Sequence, residues 1–209
     1  MNPRVEALLR EAAEWRLLSL LFECPGPEWR EKVRALGAEV RDPALRTAAE
    51  EALAEASEGI HHSILGPGGP APAREVSYHD TVQLGYLMSE LNAFHEAFAF
   101  RPRTIEAIDH VSVEAGFAGY LRVKQAFALA EGNTEAAALA EEAAKDFRSQ
   151  HLVYVAEPLA RSLSESGVGY LAKAGQALLA RVGPSPVLPV LGNLAGAVGG
   201  DAFECGVAG

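Results

Sequence analysis

Cysteine is scarce in this chain of 209 residues, which contains only Cys24 and Cys205. The two residues lie far apart in the sequence, and neither belongs to a Cys-x-x-Cys motif. A zinc knuckle and a disulfide scaffold are therefore both disfavoured. This use of cysteine fits a protein of a reducing compartment.

Basic residues are also few, since 18 Lys and Arg stand against 28 Asp and Glu and give a formal net charge of −10 at pH 7. A nucleic-acid partner is disfavoured, because phosphate binding requires clustered Lys and Arg. No run reaches the ~18 apolar residues that span a bilayer. The charged N-terminal segment lacks the apolar stretch and cleavage site of a secretory signal. We therefore expect a cytoplasmic protein that neither binds nucleic acid nor inserts into a membrane.

Aromatic residues make up only 7% of the chain, and Ile and Thr are infrequent, whereas Ala, Leu and Glu are abundant. This composition favours helix over strand. A chain of this length most often folds as one domain. The sequence therefore predicts an all-α, single-domain bundle of several helices over residues 1–182.

Glycine and proline are concentrated in two places. Residues 66–73 hold three prolines and three glycines and cannot be helical. No strand precedes them and no Gly-Lys-Ser/Thr sequence follows, so we interpret them as a linker rather than a phosphate-binding loop. Residues 183–209 carry almost no charge but keep Val, Leu and Phe, which predicts an extended C-terminal arm that lies in a groove of the same or a neighbouring molecule.

The helical spacing of apolar residues, together with capping signals, predicts the helix boundaries. The Asp42-Pro43 pair is a clear helix start, with a carboxylate at the N-cap and proline at the first helical position. Four helices are predicted with both ends: Pro3–Phe22, Pro43–Ile60, Ser77–Phe98 and Thr134–Gln150. Four more are predicted by their starts, at Pro27, after Thr104 for the central helix, at Pro158 and after Gly169. Ser77 and Asp80 are predicted as a capping pair for the helix that begins at Ser77.

The most informative stretch is the predicted central helix over residues 105–121. Its apolar side chains fall on two nearly opposite faces, so this helix must be covered on both faces. Acidic residues and a histidine recur at every fourth position and form a polar stripe that continues into apolar residues. The stripe and its continuation comprise Glu106, Asp109, His110, Glu114, Phe117 and Leu121.

A histidine with a carboxylate one turn away on either side has two interpretations. It can bind a metal ion, and a helical metal-binding protein or enzyme that uses His110 with the flanking carboxylates is our alternative interpretation. Di-metal centres in helical bundles use Glu-x-x-His pairs from two helices, and the chain does not provide two. His-Glu-x-x-His and Gly-x-Ser-x-Gly motifs are also missing. Charge pairing along the helix is the more common role of such a spacing.

Four segments follow one another in a characteristic order: Arg16–Phe22 with the Pro-Gly turn after it, Ile64–Pro72 with Ser77-Tyr78 shortly after, Ile108-Asp109-His110 with Glu114 and Phe117, and Phe147–Leu152. Together they resemble the redox-enzyme maturation chaperones of the TorD/DmsD/NarJ type, which assemble molybdoenzymes. The third segment is the most specific, since it is similar to that family's Asp-His-x-x-x-Glu-Leu-x-Phe-Met signature. Ala115 and Ala118 stand in place of its Leu and Met.

The resemblance implies an all-helical cytoplasmic chaperone that is not an enzyme. Such a protein binds the apo catalytic subunit of a molybdopterin-containing oxidoreductase, often at its twin-arginine leader, and assists cofactor insertion and maturation. The resemblance also implies a monomer or a domain-swapped dimer. No catalytic residue, cofactor or bound metal is expected.

By the same resemblance, Asp109, His110 and Glu114 lie in the region that binds the leader or client. The forked donors of arginine match carboxylates, so Glu106, Asp109 and Glu114 are expected to pair with the arginines of a leader. Phe117 and Leu121 are expected to contact its apolar stretch.

Overall fold

Helices provide the regular structure in the part of the chain that the computed structural model describes, residues 2–79 and 82–185. Within these ranges there is no β-strand, and the predicted all-α class is confirmed. A 3₁₀ turn at Glu75–Tyr78 precedes the fifth helix, and a π-helical segment at Arg148–Leu152 joins the seventh to the eighth. The α-helices of the described residues are α1 (Pro3–Phe22), α2 (Trp29–Glu39), α3 (Pro43–Glu55), α4 (Glu58–Ile64), α5 (Leu84–Ala97), α6 (Val111–Ala130), α7 (Thr134–Phe147), α8 (Val153–Glu165) and α9 (Gly169–Val182).

Local capping sets the start of α1 and of α3. The side-chain oxygen of Asn2 accepts a hydrogen bond from the backbone N–H of Arg4 at 2.9 Å, and Pro3 follows as the first helical residue. Asp42 caps α3 in the same way, with its Oδ1 2.9 Å from the N–H of Ala44. Proline is tolerated at this position because the first N–H of a helix has no intrahelical partner. The predicted bounds of α1 and the predicted start of α3 are confirmed.

The sixth helix, α6, is the central element of the bundle, with α1 and α7 packed against it. The two helices α1 and α6 run antiparallel and approach closely at Gly119, where an added Cβ would lie 3.0 Å from the Cβ of Trp15 and 3.2 Å from the carbonyl oxygen of Ala12. The prediction of a central helix that is covered on both faces is confirmed. Its buried apolar side chains include Val111, Val113, Ala115, Phe117, Ala118 and Leu121.

The predicted start of this central helix is wrong, because residues 105–110 are not helical. His110 replaces Thr104 as the N-cap, with its Nδ1 accepting a hydrogen bond from the Ser112 N–H at 3.2 Å. Two backbone hydrogen bonds tie the chain before α6 to the end of the glycine-proline linker. They run from the Glu75 N–H to the Asp109 oxygen and from the Val111 N–H to the Ala73 oxygen, both at 2.8 Å. A helix through this segment would lose both bonds.

Two further helix boundaries differ from the prediction. The helix predicted to continue to Ile60 ends at Glu55, because the side chain of Ser57 caps a separate helix, α4, by accepting from the Ile60 N–H at 3.3 Å. The helix predicted to begin at Ser77 is a 3₁₀ turn there and becomes α-helical only at Leu84; the proposed capping partner Asp80 lies outside the described residues.

Proline also starts fewer helices than predicted. Pro158 lies inside α8 instead of starting a new helix. Since Leu159 and Leu163 are fully buried beside it, packing compensates for the hydrogen bond that proline removes. The second helix begins at Trp29 rather than at Pro27.

The predicted non-helical linker over residues 66–73 is confirmed. No helix of the described residues combines the length and apolar character needed to cross a membrane. At the other end, Gly183 follows α9 with a φ of 92°, a value that favours glycine. Most of the predicted C-terminal arm, residues 186–209, lies outside the described residues.

Candidate functional site

The six residues predicted as one binding surface are divided among three environments. Because α6 begins only at Val111, residues 106 and 110 do not share a helical face with residue 114. Glu106 and His110 lie beside His61 of α4. The others point inward, where Asp109 and Glu114 are buried in a polar cluster and Phe117 and Leu121 are buried in the apolar core.

The buried polar cluster, called the inner cluster here, comprises Glu75, Asp109, Glu114 and His151, all of them at most 1% exposed. Arg74 donates to Asp109 Oδ1 from Nε at 2.8 Å, and its Nη2 forms an ion pair with the same oxygen at 2.7 Å. The carboxylate of Glu75 lies 3.1 Å from Nδ1 of His151. Buried charges require such partners. Because these partners come from different segments, the inner cluster connects the end of the linker to α6 and to the π-helical segment.

Glu114 differs from the other carboxyl groups of the inner cluster. Burial raises its pKa well above the usual value of 4.5, and the neighbouring charges of Glu75 and Asp109 raise it further. The neutral form of Glu114 is therefore favoured. A neutral carboxylic acid at this point removes repulsion that three buried carboxylates would otherwise produce.

An aromatic layer lies next to the inner cluster. The ring of Phe117 is 4.8 Å from that of Phe147 and 5.2 Å from that of Phe100, measured between centroids. Phe147 in turn lies 5.0 Å from the ring of His151. The segments around residues 75, 110 and 150, which carry much of the sequence resemblance, therefore meet in space.

A second group of side chains, called the outer cluster, comprises His61, Glu106 and His110. Nε2 of His61 lies 3.7 Å from Oε1 of Glu106, and Nε2 of His110 lies 3.8 Å from Oε2 of the same carboxylate. The two imidazole rings are stacked with centroids 6.0 Å apart. His62 and Cys24 lie at its edge, with Sγ of Cys24 3.9 Å from Nε2 of His62.

Both histidines of the outer cluster are neutral at physiological pH. Burial lowers the pKa of His61 from 6.5 to about 4, with a smaller contribution from His62. Burial, with smaller contributions from His61 and Arg74, lowers the pKa of His110 from 6.5 to about 3. A neutral imidazole is the form that binds metal ions.

A groove of about 310 Å³ lies between α1, α6 and the segment that follows α5. Apolar residues and glycines of α6 form much of its floor, and charged residues from the other two walls surround it. Its charged lining residues are Arg16, Glu23, Arg101 and Arg103. Arg16 is partly satisfied within the protein, since Nη1 donates to Ser19 Oγ at 2.8 Å.

An exposed apolar face extends the groove along α6. Tyr120 and Val123 line the groove, and Phe127 follows one turn later on the same face of the helix. Phe127 is 65% exposed and Val123 is 43% exposed. Exposed large apolar residues that continue a groove are typical of interaction surfaces.

The sequence interpretation missed His61 and Glu75. His61 belongs to a Glu-x-x-His sequence, Glu58-Gly59-Ile60-His61, which is a weak signal for a metal ligand. Glu75 follows the linker without any signal of its own. His151 contacts Glu75 through Nδ1, whereas its Nε2 is buried without a hydrogen-bond partner among the described residues.

Comparisons of the chain with protein-family models, with curated proteins and with solved structures found no match.

Proposed function

We propose that this protein is a cytoplasmic maturation chaperone that binds the apo catalytic subunit of a molybdopterin-containing oxidoreductase. The four segments that resemble the TorD/DmsD/NarJ chaperones support this function. Three of them converge at the inner cluster and the aromatic layer, as expected of a motif that maintains a fold. The proposal assigns the protein no catalytic residue.

The observation that carries the proposal is the groove between α1 and α6 with its apolar extension. A twin-arginine leader combines two arginines with an apolar stretch, and helical grooves bind apolar segments through side chains spaced three or four residues apart. Val123 and Phe127 offer such an apolar face. Gly116 and Gly119 leave space in the groove, because neither residue has a side chain that would fill it.

One carboxylate that lines the groove, Glu23, and one that lies near it, Glu106, are suited to the arginines of the leader, beside the three arginines that also line the groove. Glu23 lines the groove, and burial raises its pKa, with Arg16 lowering it and Glu106 raising it. The side chains of Glu23 and Glu106 are 21% and 17% exposed, so both can reach an incoming guanidinium. Arginine pairs strongly with partly buried carboxylates.

The proposed contact surface differs from the surface predicted from the sequence. Asp109, Glu114, Phe117 and Leu121 are fully buried, so in this structure they do not contact a partner. Glu106 remains a candidate for contact with a leader. The buried four support the groove from below, because they fix the start of α6 and the position of the loop beside it.

Calorimetric titration tests the proposal with a synthetic twin-arginine leader from a molybdopterin oxidoreductase of the source organism. Val123→Asp is expected to weaken binding at least about tenfold, because it places a charge against the apolar part of the leader; tenfold corresponds to about 1.4 kcal/mol. A leader with both arginines replaced by alanine is also expected to bind more weakly.

The matched control is Leu139→Asp, which introduces the same charge at a 60% exposed leucine on α7, outside the groove. Binding by this variant is expected to equal that of the wild type. Equal binding by Val123→Asp and the wild type would show that the groove is not the site. If neither the leader nor the apo catalytic subunit binds, the proposed function is wrong.

A further inference from the structure

The outer cluster holds three potential metal ligands in a geometry that hydrogen bonding does not explain. The two contacts from Glu106, at 3.7 and 3.8 Å, are longer than the 2.7–3.2 Å typical of N–H···O hydrogen bonds. All three donor atoms lie within 4.8 Å of one another. Two donors about 2.1 Å from a common zinc ion are about 3.4 Å apart in a tetrahedron, so the observed spacing is close to that of a metal site.

Ion pairing with Lys or Arg does not explain the arrangement either. Among the described residues, no Lys or Arg forms an ion pair with Glu106, and no side-chain hydrogen bond reaches the ring of His61. A metal ion held between this largely buried carboxylate and the two imidazoles would supply a positive charge that no Lys or Arg provides.

We propose that His61, Glu106 and His110 bind a divalent transition-metal ion of the zinc class, with water as the fourth ligand. Two imidazole nitrogens and one carboxylate oxygen form a donor set that zinc proteins use when one coordination position stays open. This donor set disfavours Mg²⁺ and Ca²⁺, which prefer sites made of oxygen atoms only.

Ser112 supports the site from behind His110. Its Oγ lies 2.7 Å from Nδ1 of His110, within hydrogen-bond distance. In the structure, Nδ1 accepts from the Ser112 N–H, so metal binding through Nε2 requires the other tautomer, in which Nδ1 carries the proton and donates to the Ser112 hydroxyl in place of that N-cap bond. A hydrogen bond to the second ring nitrogen orients a metal-binding histidine and fixes its tautomer, and Ser112 provides one here.

The site connects two elements that are distant in sequence. His61 belongs to α4, whereas Glu106 and His110 belong to the loop before α6. A bound ion would therefore fix this loop, whose earlier part, residues 100–104, forms one wall of the groove. Metal binding requires no client and can be measured without one, although a Glu106 that binds the ion is not free to pair with an arginine of the leader.

Titration of Zn²⁺ into the metal-free full-length protein, followed by calorimetry, tests this inference. One Zn²⁺ per chain is expected to bind, and Mg²⁺ is expected not to bind. His61→Gln and His110→Gln are each expected to weaken Zn²⁺ binding at least about 100-fold, because each removes one of three protein ligands. Ser112→Ala is expected to weaken it about 10-fold, the lower end of the range for lost second-shell partners.

The matched control is His62→Gln, which changes the histidine next to His61 without changing the proposed ligands. It is expected to bind Zn²⁺ as the wild type does. Circular dichroism of each metal-free variant checks folding, and His61→Gln decides the matter if His110→Gln does not fold. Absence of Zn²⁺ binding, undiminished binding by His61→Gln, or loss of binding by His62→Gln would overturn the proposal. None of these results depends on a leader peptide.

Discussion

The inner and outer clusters both draw side chains from residues 106–114, yet they differ in how their polar groups are satisfied. In the inner cluster, Asp109 accepts a hydrogen bond from Arg74 and forms an ion pair with it, and Glu75 is paired with His79 and His151. In the outer cluster, Glu106 faces two histidines at distances too long for hydrogen bonds. The inner cluster thus pairs two of its carboxylates at close range, although Asp109 Oδ2, both Glu114 oxygens and His151 Nε2 are buried without a hydrogen-bond partner among the described residues. The outer cluster instead holds its nitrogen and oxygen atoms at a spacing that suits a metal ion.

This difference separates structural from functional use of the same residue types. A buried carboxylate with close partners contributes to stability, and its removal leaves those partners unpaired. A carboxylate held near neutral imidazoles contributes little to folding but is positioned for a ligand. Substitutions in the inner cluster and its aromatic layer should therefore affect stability, and those in the outer cluster should affect metal binding.

The largest effect is expected in the aromatic layer that supports the inner cluster. Phe117→Ala should lower the free energy of unfolding by about 3–5 kcal/mol, because it removes a fully buried ring and leaves a cavity. Phe127→Ala on the same helix, at a 65% exposed position, should change it by less than about 0.5 kcal/mol. Urea unfolding measures both values, and similar losses in the two variants would contradict the described burial.

Zinc should stabilise the protein through the outer cluster only. At a free Zn²⁺ concentration 100 times the dissociation constant, the free energy of unfolding should rise by about 2.7 kcal/mol. Denaturant unfolding with and without Zn²⁺ measures this gain. The gain should be absent in His61→Gln and retained in His62→Gln; the same gain in both variants would mean that the ion binds elsewhere.

A direct comparison of the two clusters uses one acidic residue from each. In metal-free protein, Asp109→Ala should lower the free energy of unfolding by about 2 kcal/mol, because Arg74 loses a buried acceptor. Glu106→Ala should lower it by less than about 1 kcal/mol, because this carboxylate has no cationic partner of Lys or Arg among the described residues. Chemical unfolding of both variants measures the difference, and the reverse order would contradict the division into two clusters.

The last effect concerns Glu114 and depends on pH. Its raised pKa means that the folded protein keeps a proton that the unfolded chain loses above about pH 4.5. The folded state then binds more protons, so this group makes stability fall as pH rises from 4.5 toward the raised pKa, by at most about 1.4 kcal/mol per pH unit. Glu114→Gln should remove this component.

Unfolding measured between pH 5 and pH 8 should therefore show Glu114→Gln gaining stability relative to the wild type as pH rises. Glu141→Gln, at an exposed carboxylate on α7, serves as the control and should follow the wild type more closely. A constant difference between Glu114→Gln and the wild type over this range would indicate that Glu114 is ionised in the folded protein.

Local signals in the sequence were sufficient for part of the fold. The bounds of α1, the capped start of α3 at Asp42 and the linker over residues 66–73 were all predicted, because proline, glycine and N-cap residues act on their immediate neighbours. The two-sided burial of α6 was also predicted, since the spacing of its apolar residues determines which faces must be covered.

The remaining features depend on contacts between distant segments. Residues 105–110 have helical spacing, but hydrogen bonds to Ala73 and Glu75 hold the end of this segment in a different conformation. Because these hydrogen bonds keep the segment from forming a helix, the predicted polar stripe is divided. The ring of His110 stacks on that of His61 and does not lie beside Glu114. Similarly, α8 continues through Pro158, because burial of the neighbouring leucines outweighs the lost backbone bond.

The link between the linker and the start of α6 consists of main-chain atoms, with residues 74 and 110 forming an isolated antiparallel bridge. Backbone amides and carbonyls are the same in every residue other than proline and do not depend on side-chain identity. Evolution or protein engineering can therefore exchange the histidine or glutamate of the neighbouring loop without displacing the loop itself. In such a scaffold, a few substitutions can change which ligand is bound, while the backbone holds the new side chains at the same positions.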